Sequence, residues 1–412
     1  MWAGSVSYKL MKIIIPTTEF PPFPGGVSTV AYEQASGLAK LGHKVRVETI
    51  DFSKYGPPVA IENAQVNYAP IHARAILRVA PLAAQVWSVC RRERPDFICC
   101  PTYRGYGLPV RFTAGAHGIP YSIFIHGTEL RSESRRLARR AVMKHVFANA
   151  AFLATNSENS KRILHHLFSE VTTPVSAIVL GVHFDRFQGE EVKRNGQRIR
   201  AEWFVRTSAA ADSIVLLSTC RLTRDKGIDY TIRALAGLTK RKPPLPLVYI
   251  AVGSGPERAN LETLCHEMGV RDKVLFIGNV SYQNIPSYYH AANIYIQPSQ
   301  PTGDIQESFG VSFLEAQSAG LPCIGTFVGG IPEAIGGVEE NAGILIPPGD
   351  VAILTEALEG IVVDGDRLRR MSQMACERAH RFSWDSHVAK LAYAIDKAIH
   401  SDRQRNRVAV IH

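Results

Sequence analysis

Two glutamates stand eight residues apart in the segment ESFGVSFLEAQSAGLP (307–322), Glu307 at its head and Glu315 among Phe313, Leu314 and Ala316. Carboxylates accept hydrogen bonds from paired hydroxyls. The N–H groups of Gly310, Val311 and Ser312 would favour phosphate if a helix opens there. If Phe309 or Gly310 begins that helix, a helical rise over eight residues separates the two acids by about 12 Å, comparable to the reach from a nucleotide's ribose to the sugar it carries. Glu315 on the ribose and Glu307 on the sugar is then a coherent assignment. A capping carboxylate followed by an exposed helical one is the alternative these residues leave open.

Other residues point the same way. In RLTRDKG (221–227), Arg221 falls just past a buried strand and Lys226 follows five residues on, beside Gly227. Two cations there suit a diphosphate, each worth up to about 4 kcal/mol at 4 Å and an effective dielectric near 20, before desolvation. Solvated loop cations are the alternative. Gly25 and Gly26, in PPFPGGV, follow the first strand and precede a helix. Glycines at such a turn let backbone N–H groups approach an anion or a sugar, although a tight turn with Pro24 explains them as well. Gly253-Ser254-Gly255 lacks the third glycine of a dinucleotide fingerprint, Arg258 standing in its place, so a nicotinamide dehydrogenase is disfavoured. It reads as a sharp turn near phosphate. His126, in FIHGTEL, ends a strand and by itself reads as structural. The Asp364-Gly365-Asp366 triplet matches a metal-binding pattern but sits in a polar turn between helices, so no metal is expected.

The elements that must carry these residues alternate as βα units, the signature of parallel sheets. Strands are expected at 12–16, 43–50, 96–100, 121–127, 151–157 and 175–181, with helices at about 27–41, 74–92, 107–117 and 132–149. A polar stretch at 189–213 reads as an interdomain connection. The alternation restarts with strands at 213–220, 245–253, 273–278, 293–299, 322–326 and 343–347, and a last helix near 381–399 could pack back on the first domain. The fold class is thus α/β, two similar domains in tandem whose facing sheets would make a cleft: 1–195, 196–385 and a closing helix at 386–412. Ligands should lie outside the carboxyl ends of the strands.

Composition sets the frame. A chain of 412 residues, 46% hydrophobic and 20% charged, is globular and long enough for two domains of roughly 200 residues. Seven scattered cysteines with no CxxC favour reduced cytosolic thiols over a disulfide framework or metal site. Ile13 to Ile15 is too short a run for a signal core or membrane span. A cytoplasmic protein is expected. The formal charge of +10 favours anionic partners.

PGGV, HG, GVHFDRF, RLTRDKG, GSGP, ESFGVSFLEAQSAGLP and GGIPE stand in the order found in the retaining GT-B glycosyltransferases of family GT4, which the chain resembles from about Lys12 to Tyr393. The resemblance implies the GT-B fold, two Rossmann-like domains facing each other across a cleft, with a nucleotide-sugar donor held mainly by the second and an acceptor held mainly by the first. It places Arg221 and Lys226 on the diphosphate, Glu315 on the ribose and Glu307 on the donor sugar. Phe309, Gly310 and Val311 would lie along the phosphates and sugar, and His126 near the sugar. It further implies UDP or GDP as the nucleotide, a carbohydrate or lipid-linked acceptor, no nucleic acid and no required metal. Glycolipid or surface-polysaccharide synthesis would be the setting. Asn293, where the family more often has aspartate, should brace a strand start. Between 130 and 148, Arg131, Arg135, Arg136, Arg139, Arg140 and Lys144 surround apolar residues. That stretch reads equally as a helix on anionic membrane or as an ordinary basic surface. A nucleotide-sugar 2-epimerase and a catalytically silent carbohydrate-binding relative are the competing expectations.

Overall fold

The computed structural model describes residues 9–69, 79–303, 306–337 and 340–409. The chain divides into two compact units, one running to Leu180 and resuming at Trp384, the other spanning Gly181–Ser383.

In the first unit β1 (Lys12–Pro16), α1 (Gly26–Lys40), β2 (Lys44–Ile50), β3 (Ala64–Ala69), α2 (Val79–Glu93), β4 (Phe97–Cys100) and α3 (Gly107–His117) come first. They are followed by β5 (Tyr121–Ile125), α4 (Thr128–Ser134), α5 (Leu137–Ala148), β6 (Phe152–Thr155), α6 (Glu158–Leu167) and β7 (Val175–Ala177). Among the described residues these strands form a parallel sheet in the order β3-β2-β1-β4-β5-β6-β7. Helices cover parallel sheets on both faces, which is why central strands read as continuous apolar runs. FICC of β4 and YSIFI of β5 are buried at every position.

The second unit repeats the plan with α7 (Glu190–Thr207), β8 (Ile214–Thr219), α8 (Ile228–Thr239), β9 (Leu247–Val252), α9 (Arg258–Glu267), β10 (Val274–Gly278) and α10 (Ile285–His290). Then come β11 (Ile294–Gln297), α11 (Val311–Ser318), β12 (Cys323–Thr326), α12 (Ile331–Ile335), β13 (Gly343–Ile346), α13 (Val351–Val362) and α14 (Gly365–Ala379). Its parallel strands run β10-β9-β8-β11-β12-β13. In both sheets the order reverses beside the first strand, at β1 and at β8, and such reversals open a crevice at the carboxyl ends. Asn293 braces the start of β11: its Oδ1 accepts from Val215 N at 2.9 Å and from Arg200 Nη1 at 2.8 Å.

The last helix, α15 (Trp384–Ala409), packs on α1 in the first unit. Gly37 of α1 lies against the Val388 side chain, so closely that a Cβ there would sit 2.3 Å from it. His387 is buried, with Nδ1 donating to Val179 O at 2.9 Å and Nε2 3.2 Å from Gln34 Nε2. Where the chain enters and leaves the second unit, Val182 N donates to Phe382 O at 2.9 Å and Val182 pairs with Ser383 as a parallel bridge.

Several elements differ from expectation. The units meet at 180/181 and 383/384 rather than at 195 and 385. The polar stretch after 189 is helix α7, with Val192, Gly196, Ile199 and Trp203 at helical spacing and Trp203 buried beneath its charged residues. The helix expected over 132–149 is two helices separated at Arg135-Arg136. Strand β3 and helix α6 were not expected at all. Part of the helix expected at 74–92 lies outside the described residues.

Candidate functional site

In the second unit the turn after β8 carries Arg221, and a short 3-10 turn ends at Lys226. Lys226 Nζ lies 2.6 Å from Glu307 Oε2 and 3.5 Å from Asp225 Oδ2. Glu307 Oε2 also accepts from Gln297 Nε2 at 3.2 Å, at the end of β11. Burial alone would depress the Lys226 ammonium, but the Glu307 charge and hydrogen bond, with Asp225, hold it well above the ordinary lysine range. Arg221 is exposed and forms no ion pair among the described residues. One cation is therefore locked in place beside a carboxylate and one faces solvent.

Two glycine-rich turns hold this arrangement. At Gly253 a Cβ would lie 1.9 Å from Cys220 O, and Leu222 N donates to Ser254 O at 3.0 Å. The Gly-Ser-Gly turn thus grips the loop that presents Arg221, and backbone packing accounts for Gly253. At Gly329 a Cβ would lie 1.8 Å from Glu307 O, while Gly330 N donates to that oxygen at 3.0 Å. GGIPE positions Glu307 in the same manner.

Helix α11 begins at Val311, with Gly310 as its N-cap at φ 95°. Glu307 to Gly310 is therefore not helical, and the separation of the two acids by a helical rise does not hold. Phe309 is 1% exposed and its ring packs near Phe382, so only its backbone can face a ligand. Glu315, one turn into α11, accepts from the Tyr289 hydroxyl at 2.8 Å, and that hydroxyl also pairs with Thr219 at the end of β8. Burial raises the Glu315 carboxyl above the usual range, against the opposing effects of Tyr289 and Arg186.

In the first unit Gly25 caps α1 and Gly26 is its first residue, with open space where a Cβ would stand on Gly26. His126 follows β5; its Nε2 donates to Pro101 O at 2.8 Å, and its backbone N donates to Glu129 Oε1 at 2.7 Å. A carbonyl oxygen only accepts, so Nε2 carries a proton in that bond. Glu19, two residues past Thr17 at the end of β1, lies near the Gly25 turn. Burial raises its carboxyl, while the charges of His126 and Arg104 act in the opposite sense.

The structure therefore brings Arg221, Lys226, Glu307, Gly310, Val311 and Glu315 to the carboxyl side of one sheet, and Gly25, Gly26 and His126 to that side of the other. Sequence reasoning missed Glu19, Tyr289 and Gln297. An acid just beyond the strand at which the sheet order reverses, and a glutamine ending an otherwise apolar strand, were the available signals. Asp364 caps α14 by accepting from Arg367 N at 2.8 Å, and Asp366 pairs with Arg369.

The family model for glycosyl transferases group 1 matches residues 199–378, and that for the glycosyl transferase 4-like domain matches 25–175. A GDP-mannose-dependent alpha-(1-6)-phosphatidylinositol monomannoside mannosyltransferase of Mycobacterium tuberculosis is 32% identical over 396 residues, covering 93% of this chain and 97% of that protein. An uncharacterized glycosyltransferase of Methanocaldococcus jannaschii is 27% identical over 406 residues, 92% of this chain and 96% of the relative. Among solved structures, Anabaena HepE in complex with UDP superposes with a TM-score of 0.75 at 18% identity, over 94% of this chain and 100% of that one. With each half matched and the mannosyltransferase aligned almost end to end, the chain belongs to the glycosyl transferases group 1 family, enzymes of GT-B fold that transfer a sugar from a nucleotide donor to an acceptor.

Proposed function

We propose that this enzyme transfers a hexose from a nucleoside diphosphate donor to a carbohydrate or lipid-linked hydroxyl, with retention at the anomeric carbon. The observation that carries the reading is the Lys226–Glu307 pair beside exposed Arg221, at the sheet position where the strand order reverses. As the bond from the anomeric carbon to the phosphate oxygen breaks, negative charge grows on the β-phosphate. Lys226 and the first amides of α11 are held in place before that charge appears, so they stabilise it with little reorganisation, and exposed Arg221 supplies a second cation. The acceptor oxygen bonds to the anomeric carbon on the face the phosphate leaves, and its proton passes to the departing phosphate oxygen. Glu307 holds the sugar hydroxyls and Glu315 the ribose. Glu19 is assigned to the acceptor side, and His126 to the active site near the donor sugar. The reading calls for no metal, because Arg221 and Lys226 supply the cations.

The relatives support GDP or UDP as the nucleotide: one is named for GDP-mannose and another was solved with UDP. A lipid-linked acceptor is supported by the phosphatidylinositol mannoside in the first name. Peripheral contact with an anionic membrane through 130–148 belongs to the same reading. Arg135, Arg136 and Leu137 are exposed where α4 gives way to α5, Leu137 to 85%. Among the described residues no helix is long and apolar enough to cross a membrane.

Calorimetry with UDP, GDP and ADP, followed by transfer assays in excess EDTA, tests the proposal. One diphosphate should bind and its sugar should be transferred without added metal. Donor consumed with no acceptor present and a 2-epimer formed would replace it with epimerisation, and binding of none of the nucleotides would remove it.

A further inference from the structure

The phosphate side of the site leaves one construction of the second unit unused. β10 is the edge strand of the sheet, and the loop beyond its carboxyl end carries Tyr282, 52% exposed. Arg186 lies over that ring: the guanidinium carbon is 3.6 Å from the Tyr282 ring centroid, and Nη2 donates to Tyr282 O at 2.5 Å. Arg186 belongs to a 3-10 turn at Phe184–Phe187. That turn is pinned to both helices flanking Glu315. His290 Nε2 of α10 donates to Phe187 O at 2.5 Å, and Gln188 Nε2 donates to Ser318 O of α11 at 2.7 Å. Tyr289, beside His290, holds Glu315 itself, and the Arg186 charge is felt at the Glu315 carboxyl. A planar cation is thus clamped against a half-exposed aromatic ring, on the turn that packs against the helices of the ribose carboxylate.

We propose that Arg186 and Tyr282 form the platform for the donor's nucleobase. The inference rests on the donor-binding reading and extends it to the residues that face the base. A base offers a π-face whatever its sequence of ring substituents, and stacking on an aromatic side chain contributes accordingly. Arg186 orients the ring through its carbonyl bond and its stack. Lys226 and Glu307 pair with each other and with Asp225 and Gln297, so the base and phosphate contributions are separable by mutation.

The test titrates wild type, Tyr282→Ala, Tyr282→Phe and Arg186→Met with UDP, GDP, ADP and inorganic pyrophosphate by calorimetry, with circular dichroism as the folding control. Tyr282→Ala should weaken the nucleoside diphosphate that wild type prefers by about tenfold or more, leave pyrophosphate affinity unchanged, and narrow the preference among bases. Tyr282→Phe should bind as wild type does, and Arg186→Met should follow Tyr282→Ala. Wild-type affinity for the nucleotide in Tyr282→Ala, or equal losses for nucleotide and pyrophosphate, would overturn the platform while the donor site stands. Failure of wild type to bind any of the nucleotides would remove the donor reading and this inference with it.

Discussion

The Lys226 ammonium lies 2.6 Å from the Glu307 carboxylate, although 81 residues separate them in the chain. Both side chains are largely covered, at 19% and 18% exposure. Removing either partner strands a charge. Lys226→Ala should weaken nucleoside diphosphate binding by roughly 2–5 kcal/mol, measured by calorimetry, and Arg221→Ala should weaken it less while leaving thermal stability unchanged. Glu307→Ala should lower turnover more than affinity for the free nucleotide. Equal loss of both would move Glu307 from the sugar to the nucleotide. Because the Lys226 pKa is raised, its ammonium persists as pH rises past the ordinary lysine value of about 10.4. Nucleotide affinity should therefore show no Lys226 titration between about pH 7 and 10.

Glu315 should reveal a conflict between stability and binding. Burial raises its carboxyl, so the folded state holds the proton more tightly than the unfolded chain and is penalised once pH exceeds the unfolded value of about 4.3. Glu315→Gln keeps an acceptor for Tyr289 and removes the charge. Its Tm should exceed that of wild type at pH 7, with the gain fading towards pH 4, while nucleotide affinity falls about tenfold. A lower Tm at pH 7 would contradict the assignment.

The first unit should be acid-sensitive through His387. Burial holds its imidazole down to about 4, and His43 is lowered by burial as well. The unfolded chain takes up those protons near pH 6.5, so the contribution is complete above that value and is lost as pH falls towards 4. For His387 alone the loss amounts to roughly 3 kcal/mol. Thermal unfolding at half-unit steps of pH should show the decline, and His387→Gln should flatten it.

Glu19 is predicted to act on the acceptor. Glu19→Gln should reduce transfer by roughly 10- to 100-fold and leave the calorimetric affinity for nucleoside diphosphate as in wild type. A matching loss of nucleotide binding would place Glu19 elsewhere in the reaction.

Membrane contact is open to direct measurement. Vesicles containing anionic lipid should retain the protein and neutral vesicles should not, with binding falling as salt is raised. Leu137→Asp combined with Arg136→Glu should abolish retention without altering transfer to a water-soluble acceptor. Retention equal on both vesicle types would exclude an electrostatic surface.

The parallel sheets were legible because strands covered on both faces must be apolar throughout, and FICC or LVYIAV admits few other readings. The elements overlooked are those whose burial is partial. β3 reads AQVNYA and is mostly half-buried at the sheet edge, while α6 reads ENSKRILHHL and begins with a capping bond from Ser160 N to Ser157 Oγ. Within the site, Arg221, Lys226, Glu307 and Glu315 stood out by type and spacing. Tyr289 and Gln297 did not, since their importance comes from what they reach: Tyr289 on α10 touches Glu315 on α11, and Gln297 ending β11 touches Glu307. The resemblance placed Phe309 beside the ligand, and burial of its ring limits that residue to its backbone.

The adjoining positions of Val182 and Phe382 have a practical meaning for recombining enzymes of this kind. Seen as connectivity, the second unit is an inserted cassette whose two ends emerge side by side, and the first unit supplies the described residues on either side of it. A chimera cut once near the midpoint would leave the first unit without its closing helix. Exchange of 181–383 as a block, joined at both seams, is the graft expected to give a folded hybrid.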